Sequence, residues 1–247
     1  MLGLPDGVNA CLFDLDGVLT QTAKVHAAAW QAMFNQFLED WAARHGSEFV
    51  PFDPVKDYDE YVDGKPRYEG VGSFLASRGI ELPEGTPADP PSAETIDGLG
   101  NRKNELVLKL IREQGVQPYE GSVRYVRAVI EAGLRRAVVS SSTNTRDVLK
   151  AAGIADLFDE IIDGVVAERD QLKGKPAPDT YLAGARAVGA EPRQAAVFED
   201  ALAGVEAGRA GGFGIVVGVD RVGQADALRA HGADIVVKDL AELFDAS

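Results

Sequence analysis

Short apolar runs alternate with helical segments along most of this 247-residue chain, and this alternation constrains the fold more than any other feature. The runs cover residues 8–13, 136–139, 158–162, 195–198, 214–219 and 235–237. Strands that alternate with helices are typical of a doubly wound parallel sheet with right-handed crossovers. We therefore predict an α/β fold with a buried, Rossmann-like sheet.

The alternation is interrupted after the first run. Residues 22–45 place large apolar side chains at steps of three and four residues, as a long amphipathic helix does. Further helices are predicted at 53–62, 68–77 and 101–114, with a proline-rich loop at 81–91. This pattern predicts a helical domain, residues 21–118, inserted into a core domain of residues 1–20 and 119–247.

The charge balance argues against two classes of partner. The chain has 25 basic and 39 acidic residues, a net charge of −14, and offers no basic surface for nucleic acid or anionic membranes. Cys11 is the only cysteine, so no disulfide can form within the chain. No run approaches the roughly 20 apolar residues of a membrane span. We expect a cytoplasmic protein, and monomer is the default expectation.

Reactive side chains follow four of the predicted strands. They are Asp14 and Asp16 after the first run, Ser140 after the second, Lys175 in the loop after the third, and Glu199 and Asp200 at the end of the fourth. Ligands of an open α/β sheet bind outside the carboxyl ends of its strands, so these groups are expected at one edge. Several carboxylates at one site require a cation, and oxygen ligands from loops suit Mg²⁺.

Each of these groups also has a purely structural explanation. Asp14 and Asp16 could form a solvated turn, Ser140 could cap a helix, and Lys175 could lie on the surface. Glu199 and Asp200 could simply favour the positive end of a helix dipole. The order of all the groups along the chain, each after a predicted strand, favours a shared phosphate and metal site.

Four segments resemble the motifs of the haloacid dehalogenase superfamily of aspartyl phosphotransferases. They are Asp14-Leu-Asp16-Gly-Val-Leu-Thr, Val138-Val-Ser140, Lys175-Pro-Ala-Pro-Asp179 and Glu199-Asp200-Ala-Leu-Ala-Gly204. The resemblance implies that Asp14 is the nucleophile and Asp16 the general acid and base. It implies that Ser140 and Lys175 hold phosphoryl oxygens. It also implies an Mg²⁺ site formed by Asp14, the Asp16 backbone carbonyl, Glu199 and Asp200.

Within this superfamily the chain looks most like the β-phosphoglucomutases, whose inserted helical domain is a cap. His26 matches a cap-hinge histidine, Arg67 a distal-phosphate arginine and Lys103 a substrate-contacting lysine. Ser142 and Asn144 match further distal-phosphate ligands. Thr143, between them, departs from the family pattern, which has a lysine there.

The resemblance implies an enzyme that interconverts β-D-glucose 1-phosphate and D-glucose 6-phosphate, with β-glucose 1,6-bisphosphate as intermediate and activator. A sugar-phosphate phosphatase with the same nucleophile is the alternative, because both reactions need Asp14 and Asp16. A receiver-like module that is phosphorylated on an aspartate is a third possibility. The long insertion and the position of the nucleophile on the first strand argue against that module.

Overall fold

The computed structural model describes residues 2–244 and has the predicted α/β architecture. Its strands are β1 (Ala10–Phe13), β2 (Arg135–Val139), β3 (Glu160–Ile162), β4 (Ala195–Glu199), β5 (Ile215–Val219) and β6 (Ile235–Val237). They form one parallel sheet in the order β3-β2-β1-β4-β5-β6. Each strand coincides with one of the predicted apolar runs, so the predicted fold class is confirmed.

Helices connect these strands and build the insertion. They are α1 (Ala23–His45), α2 (Arg67–Ser77), α3 (Ile96–Gln114), α4 (Glu120–Glu131), α5 (Thr145–Ala151), α6 (Gly164–Arg169), α7 (Asp179–Ala187), α8 (Leu202–Ala210) and α9 (Ala225–His231). Short 3₁₀ turns lie at Ala155–Leu157, Pro192–Gln194 and Leu240–Phe244. Among the described residues, every helix is too short or too polar to span a membrane.

The chain divides into two compact units. We call residues 1–21 and 116–247 the core unit, and Thr22–Gly115 the inserted unit. The core unit contains the whole sheet. The inserted unit contains α1, α2 and α3 and has no strand among its described residues.

The sheet of the core unit is buried on both faces. Every residue of β1 is inaccessible to solvent. On one face Leu12 packs with Val139, Val197 and Tyr181. On the other face the rings of Phe13 and Phe198 stack with their centroids 4.5 Å apart. Burial on both faces explains why the strands are continuous apolar runs rather than alternating ones.

The inserted unit has its own aromatic core. Phe34 of α1 lies at the centre, with ring centroids 5.2 Å from Trp30, 5.2 Å from Phe52 and 4.2 Å from Phe74 of α2. These side chains are nearly or completely buried. The three- and four-residue steps of the sequence are therefore the spacing of one buried helix face.

Three helical segments differ clearly from the sequence-based prediction. Helix α3 begins at Ile96, five residues earlier than predicted, because the Thr95 hydroxyl caps it by accepting from Gly98 N at 2.9 Å. Lys103 therefore lies in the interior of α3, not near its start. Residues 53–62 form only a short turn with a π-helical segment, Tyr58–Val62, because Asp53 Oδ1 accepts from Val55 N and Lys56 N. Helix α6 was not predicted at all.

Candidate active site

The acidic pair lies where β1 ends in a closed turn. Asp14 N donates to Phe198 O at 2.9 Å, which extends the pairing of β1 with β4 by one residue. The chain then folds back: Gly17 N donates to Thr20 O at 2.8 Å, and Leu19 N and Thr20 N both donate to Leu15 O. This turn leaves Asp14 buried and Asp16 partly exposed.

Gly17 occupies a position in the turn that accepts no side chain. Its φ of +87° is in the region that L residues rarely adopt. A Cβ atom on Gly17 would overlap the Asp200 carboxylate. The Asp-Leu-Asp-Gly turn and the Glu199-Asp200 segment are therefore packed directly on one another, and the glycine makes this possible.

Lys175 is the cation at the centre of the site. Its side chain is 1% exposed, and Nζ donates to Asp14 Oδ1 at 2.6 Å and to Glu199 Oε1. A weaker contact joins Nζ to Val139 O at 3.4 Å. The lysine thus joins the ends of β1, β2 and β4, three adjacent strands of the sheet.

Burial and charge act in opposite directions on these groups. Burial raises the pKa of the Asp14 carboxyl well above its usual range, Lys175 opposes this shift, and the Glu199 and Asp16 carboxylates add to it. Burial would lower the pKa of the Lys175 ammonium, but the Asp14 and Glu199 carboxylates outweigh it and raise that pKa. Lys175 therefore stays protonated, and the site holds more acid than one lysine can neutralise.

Glu199 is completely buried and is held from several sides. Its Oε1 accepts from Lys175 and from the Tyr181 hydroxyl at 3.1 Å, and its Oε2 accepts from Ala201 N at 2.8 Å. Gly204 of α8 packs so closely on this carboxylate that a Cβ there would overlap it. The side chain therefore has a single well-defined position.

Three carboxylates are close enough to share a metal ion. Asp14, Glu199 and Asp200 each offer an oxygen, and these atoms lie within 4.8 Å of one another. Together with the nearby Asp16 they place four carboxyl groups beside the single ammonium of Lys175. Such an excess in a buried site fits a divalent cation with oxygen ligands. The residues present therefore fit Mg²⁺.

The loop after β2 brings hydroxyl and amide groups to the same edge of the sheet. Ser140 is 3% exposed, and its N donates to Ile162 O at 2.9 Å. Ser142 N donates to Ser140 Oγ at 3.1 Å, and Asn144 N donates to Ser142 Oγ at 3.2 Å. These bonds hold the loop as a series of tight turns that ends at Asn144, the residue before α5.

The inserted unit holds the other candidate substrate ligands. Lys103 Nζ is 2.8 Å from His26 Nδ1, and it lies 4.6 Å from the centroid of the Trp30 ring. The ammonium is thus in contact with a ring nitrogen and an aromatic face. His26 and Lys103 therefore form one polar pair on the aromatic core.

Arg67 lies at the first residue of α2. Its Nη2 donates to the Tyr68 hydroxyl at 2.8 Å, and that hydroxyl donates to Asn101 Oδ1 at 3.0 Å. The guanidinium also lies 4.7 Å from the centroid of the Tyr68 ring. These contacts give the arginine a defined orientation within the inserted unit.

Sequence reasoning missed Tyr181. Its position on the apolar face of α7 is that of an ordinary core residue, and only its hydroxyl reaches Glu199. Sequence reasoning also missed Arg221 and Gln224, which follow β5 and donate to Gly17 O and Asp200 O. A signal for these two existed, because they come directly after a strand, like the residues that were found.

Comparisons with known proteins identify the family of this chain. The family model of haloacid dehalogenase-like hydrolases matches residues 8–212. A β-phosphoglucomutase of Mycobacterium bovis is 58% identical over 247 residues, which cover 99% of this chain and 94% of that protein. A β-phosphoglucomutase of Bacillus subtilis is 30% identical over 236 residues, covering 96% and 92%.

A solved structure has the same fold. The crystal structure of β-phosphoglucomutase from Clostridium difficile superposes with a TM-score of 0.73 at 26% identity, covering 96% of this chain and 93% of that one. The family match spans most of the chain, including all four motifs at the ends of the strands. The chain therefore belongs to the haloacid dehalogenase-like hydrolase family, and within it groups with the β-phosphoglucomutases.

Proposed function

We propose that this protein interconverts β-D-glucose 1-phosphate and D-glucose 6-phosphate. The observation that carries the proposal is the 58% identity to a β-phosphoglucomutase over nearly the whole of both chains. The buried set of Asp14, Lys175, Glu199 and Asp200 supports it, because phosphoryl transfer needs a positioned nucleophile and neutralised charge. The proposal includes a monomeric, cytoplasmic enzyme.

In the proposed reaction, Asp14 accepts the phosphoryl group. A carboxylate oxygen of Asp14 attacks phosphorus while the bond from phosphorus to the sugar oxygen breaks, which leaves an aspartyl-phosphate. Asp16 gives a proton to the departing sugar oxygen. In the other half-reaction Asp16 takes the proton from the free hydroxyl of the sugar monophosphate. The oxygen of this hydroxyl attacks the phosphorus of the aspartyl-phosphate, and the Asp14 carboxylate is released. β-Glucose 1,6-bisphosphate is the product of one half-reaction and the phosphoryl donor of the other.

Lys175 and Ser140 are the proposed ligands of the transferring phosphoryl oxygens. The Lys175 ammonium already contacts the Asp14 carboxylate, so it is in place to bind an oxygen of a group attached there. The Ser140 hydroxyl lies at the adjacent strand end and can donate to a second oxygen. Both contacts are charge-assisted hydrogen bonds, which are about twice as strong as neutral ones.

We propose that Asp14, the Asp16 carbonyl, Glu199 and Asp200 hold Mg²⁺. When bound, this ion supplies positive charge that offsets the negative charge of the phosphoryl oxygens. The Glu199 carboxylate is held in place by Lys175, Tyr181 and Ala201 N. The absence of a side chain at Gly17 leaves room for the Asp200 carboxylate.

Replacing Gly17 with alanine is expected to displace the Asp200 carboxylate. The positive φ costs an alanine about 1–2 kcal/mol, and the overlap with Asp200 adds to that. We expect a lower melting temperature and a smaller rise of that temperature on adding Mg²⁺. Gly153→Ala is the matched control, since Gly153 also has a positive φ but no atom would lie within 4 Å of its Cβ. An equal Mg²⁺ response in both variants would contradict the proposed contact.

The inserted unit is proposed to act as a cap that binds the sugar and the distal phosphate. We assign His26, Arg67 and Lys103 of this unit, with Ser142 and Asn144 of the core unit, as substrate ligands. The fixed orientation of Arg67 on Tyr68 and the pairing of His26 with Lys103 support this assignment. Cations with defined positions suit an anionic ligand better than mobile surface charges do.

The proposal is tested by ³¹P NMR with β-glucose 1-phosphate, Mg²⁺ and a catalytic amount of the bisphosphate. We expect glucose 6-phosphate to accumulate without inorganic phosphate. The family model describes hydrolases, and this favours a phosphatase as the second candidate. Release of only free glucose and inorganic phosphate would establish the phosphatase and exclude the mutase.

Arg67→Ala distinguishes the mutase from the phosphatase through the proposed contact of Arg67 with the distal phosphate. Loss of a charge-assisted hydrogen bond to the distal phosphate costs about 1.5–3 kcal/mol, a decrease in kcat/KM of roughly 10- to 150-fold. We expect this decrease for β-glucose 1-phosphate. We do not expect it for a small phosphomonoester that is too short to place a second group at the distal-phosphate site. Arg112→Ala, an exposed position of the same unit, is the control. Equal activity of Arg67→Ala and wild type on both substrates would support the phosphatase.

A further inference from the structure

The loop between β5 and α9 touches both acidic segments of the active site. It comprises Asp220, Arg221, Val222, Gly223 and Gln224, and we call it the β5–α9 loop. Arg221 bonds to the turn that carries Asp16, and Gln224 bonds to the backbone of Asp200. None of its residues has a part in the reaction proposed above.

All three nitrogen atoms of the Arg221 guanidinium donate hydrogen bonds to other residues of the core unit. Nε donates to Gly17 O at 2.8 Å, and Nη2 makes longer contacts of 3.4 Å to Val18 O and Ser122 Oγ. Nη1 donates to Lys238 O at 2.6 Å and contacts Asp239 Oδ2 at 3.2 Å. The side chain is 14% exposed. The arginine therefore ties the turn after β1 to the segment that follows β6.

An aromatic ring completes this arrangement. The Arg221 guanidinium lies 3.6 Å from the centroid of the Tyr119 ring. Tyr119 N donates to Leu19 O at 2.9 Å, so the residue that stacks on Arg221 is itself bonded to the Asp16 turn. The side chain of Arg221 is thus enclosed between the turn, Tyr119 and the Lys238-Asp239 segment.

The bond to Gly17 O fixes the peptide unit that follows Asp16. Within the turn, Gly17 N is already bonded to Thr20 O. With Arg221 on its carbonyl, Gly17 is held on both of its backbone polar groups and packs against the Asp200 carboxylate. The Arg221 bond therefore restrains the peptide unit that follows Asp16.

The other end of the β5–α9 loop is attached to the second acidic segment. Gln224 Nε2 donates to Asp200 O at 3.0 Å. Asp220 Oδ1 accepts from Gly223 N at 2.6 Å and from Gln224 N at 2.8 Å, which makes the loop itself compact. A short, internally bonded loop thus spans the two segments that carry Asp16 and Asp200.

We propose that Arg221 is a positioning residue that sets the place of Asp16 relative to Asp14. The proposal rests on the proposed role of Asp16 as the proton carrier. A lysine in the same place has one point charge and cannot form the planar fork that joins three backbone carbonyls. Arg221→Lys therefore keeps the positive charge but cannot bond to these three carbonyls at once.

The test compares two phosphoryl donors. Turnover of β-glucose 1-phosphate passes through β-glucose 1,6-bisphosphate, whose sugar leaving group needs a proton from Asp16, whereas acetyl phosphate has a good leaving group that does not. We expect Arg221→Lys to lower kcat for β-glucose 1-phosphate by about 100-fold, the lower end of what general acid catalysis contributes. KM for the sugar phosphate is expected to stay unchanged. The rate at which acetyl phosphate phosphorylates Asp14 is expected to stay near that of wild type.

Arg229→Lys is the matched control. Arg229 belongs to the same unit, its side chain is 56% exposed, and it pairs only with Asp226 one turn away, among the contacts of the described residues. We expect wild-type rates on both donors. Equal losses on both donors in Arg221→Lys, or no loss on either, would overturn the proposal, since a general structural role affects both reactions alike.

Tyr119→Leu provides a second variant in case Arg221→Lys does not fold. It removes the ring that supports Arg221 and leaves the arginine in place. The same selective loss on β-glucose 1-phosphate is expected, and wild-type rates on both donors would overturn the proposal. Failure of the mutase function is seen separately, in wild type that yields inorganic phosphate only. The comparison of donors still applies then, because hydrolysis of a sugar phosphate also requires the proton from Asp16.

Discussion

Asp14→Asn is expected to lower turnover of β-glucose 1-phosphate by at least about 10⁴-fold, the scale seen when a nucleophile is removed from a catalytic set. The amide has almost the shape of the carboxylate, and its oxygen can still accept from Lys175 as Asp14 Oδ1 does. It cannot form the aspartyl-phosphate, because the amide is a poor nucleophile at phosphorus. Mass spectrometry after incubation with acetyl phosphate should show the phosphoryl adduct in wild type and none in the variant.

The control for this substitution is Asp147→Asn, which changes an exposed carboxylate of the same unit. Its turnover and its phosphoryl adduct should match those of wild type. If Asp14→Asn retained turnover within tenfold of wild type, another residue would have to be the nucleophile. The adduct, mapped by proteolysis, would then identify that residue directly.

Lys175→Met is expected to lower the free energy of unfolding by about 3–5 kcal/mol, the cost of removing one partner from a buried ion pair. Methionine fills a similar volume but leaves the buried Asp14 and Glu199 carboxylates without the ammonium that contacts both. Urea unfolding in the presence of a chelator measures this loss without any contribution from bound metal. Lys150→Met, at an exposed position, should change the same quantity by less than about 0.5 kcal/mol.

A double substitution tests the cause of this destabilisation. Lys175→Met together with Glu199→Gln removes the ammonium and one of the carboxylates that it compensates. Because the two groups are in contact, we expect the double variant to be more stable than the sum of the single changes predicts, by about 0.5–3 kcal/mol. Strict additivity would mean that the loss in Lys175→Met does not come from its pairing with Glu199.

The sheet could be predicted because its strands carry a simple signal. β1 is buried on both faces, so it is uniformly apolar and ends sharply at Asp14. The rule that ligands bind at the carboxyl ends of strands then brings Asp14, Lys175 and Glu199 together without any structural information. The structure has these three side chains in direct contact.

Contacts made by single atoms could not be predicted in this way. The role of Tyr181 depends on one hydroxyl at the end of a ring that otherwise packs as a core residue. Helix α6 has only six residues and depends on a side-chain cap, Asp163 Oδ1 accepting from Val166 N at 2.9 Å. Such short elements are determined by local hydrogen bonds rather than by hydrophobic periodicity, so the sequence pattern contains little trace of them.

The position of β1 has a consequence for synthesis of the chain. β1 is made first, yet it pairs with β2 and β4, where Ala10 lies beside Arg135 and Ala195. The ribosome must therefore produce Thr22–Gly115, with its own aromatic core, before the first strand has any neighbour. We infer that the inserted unit becomes compact during translation, whereas β1 stays exposed as an unpaired apolar segment.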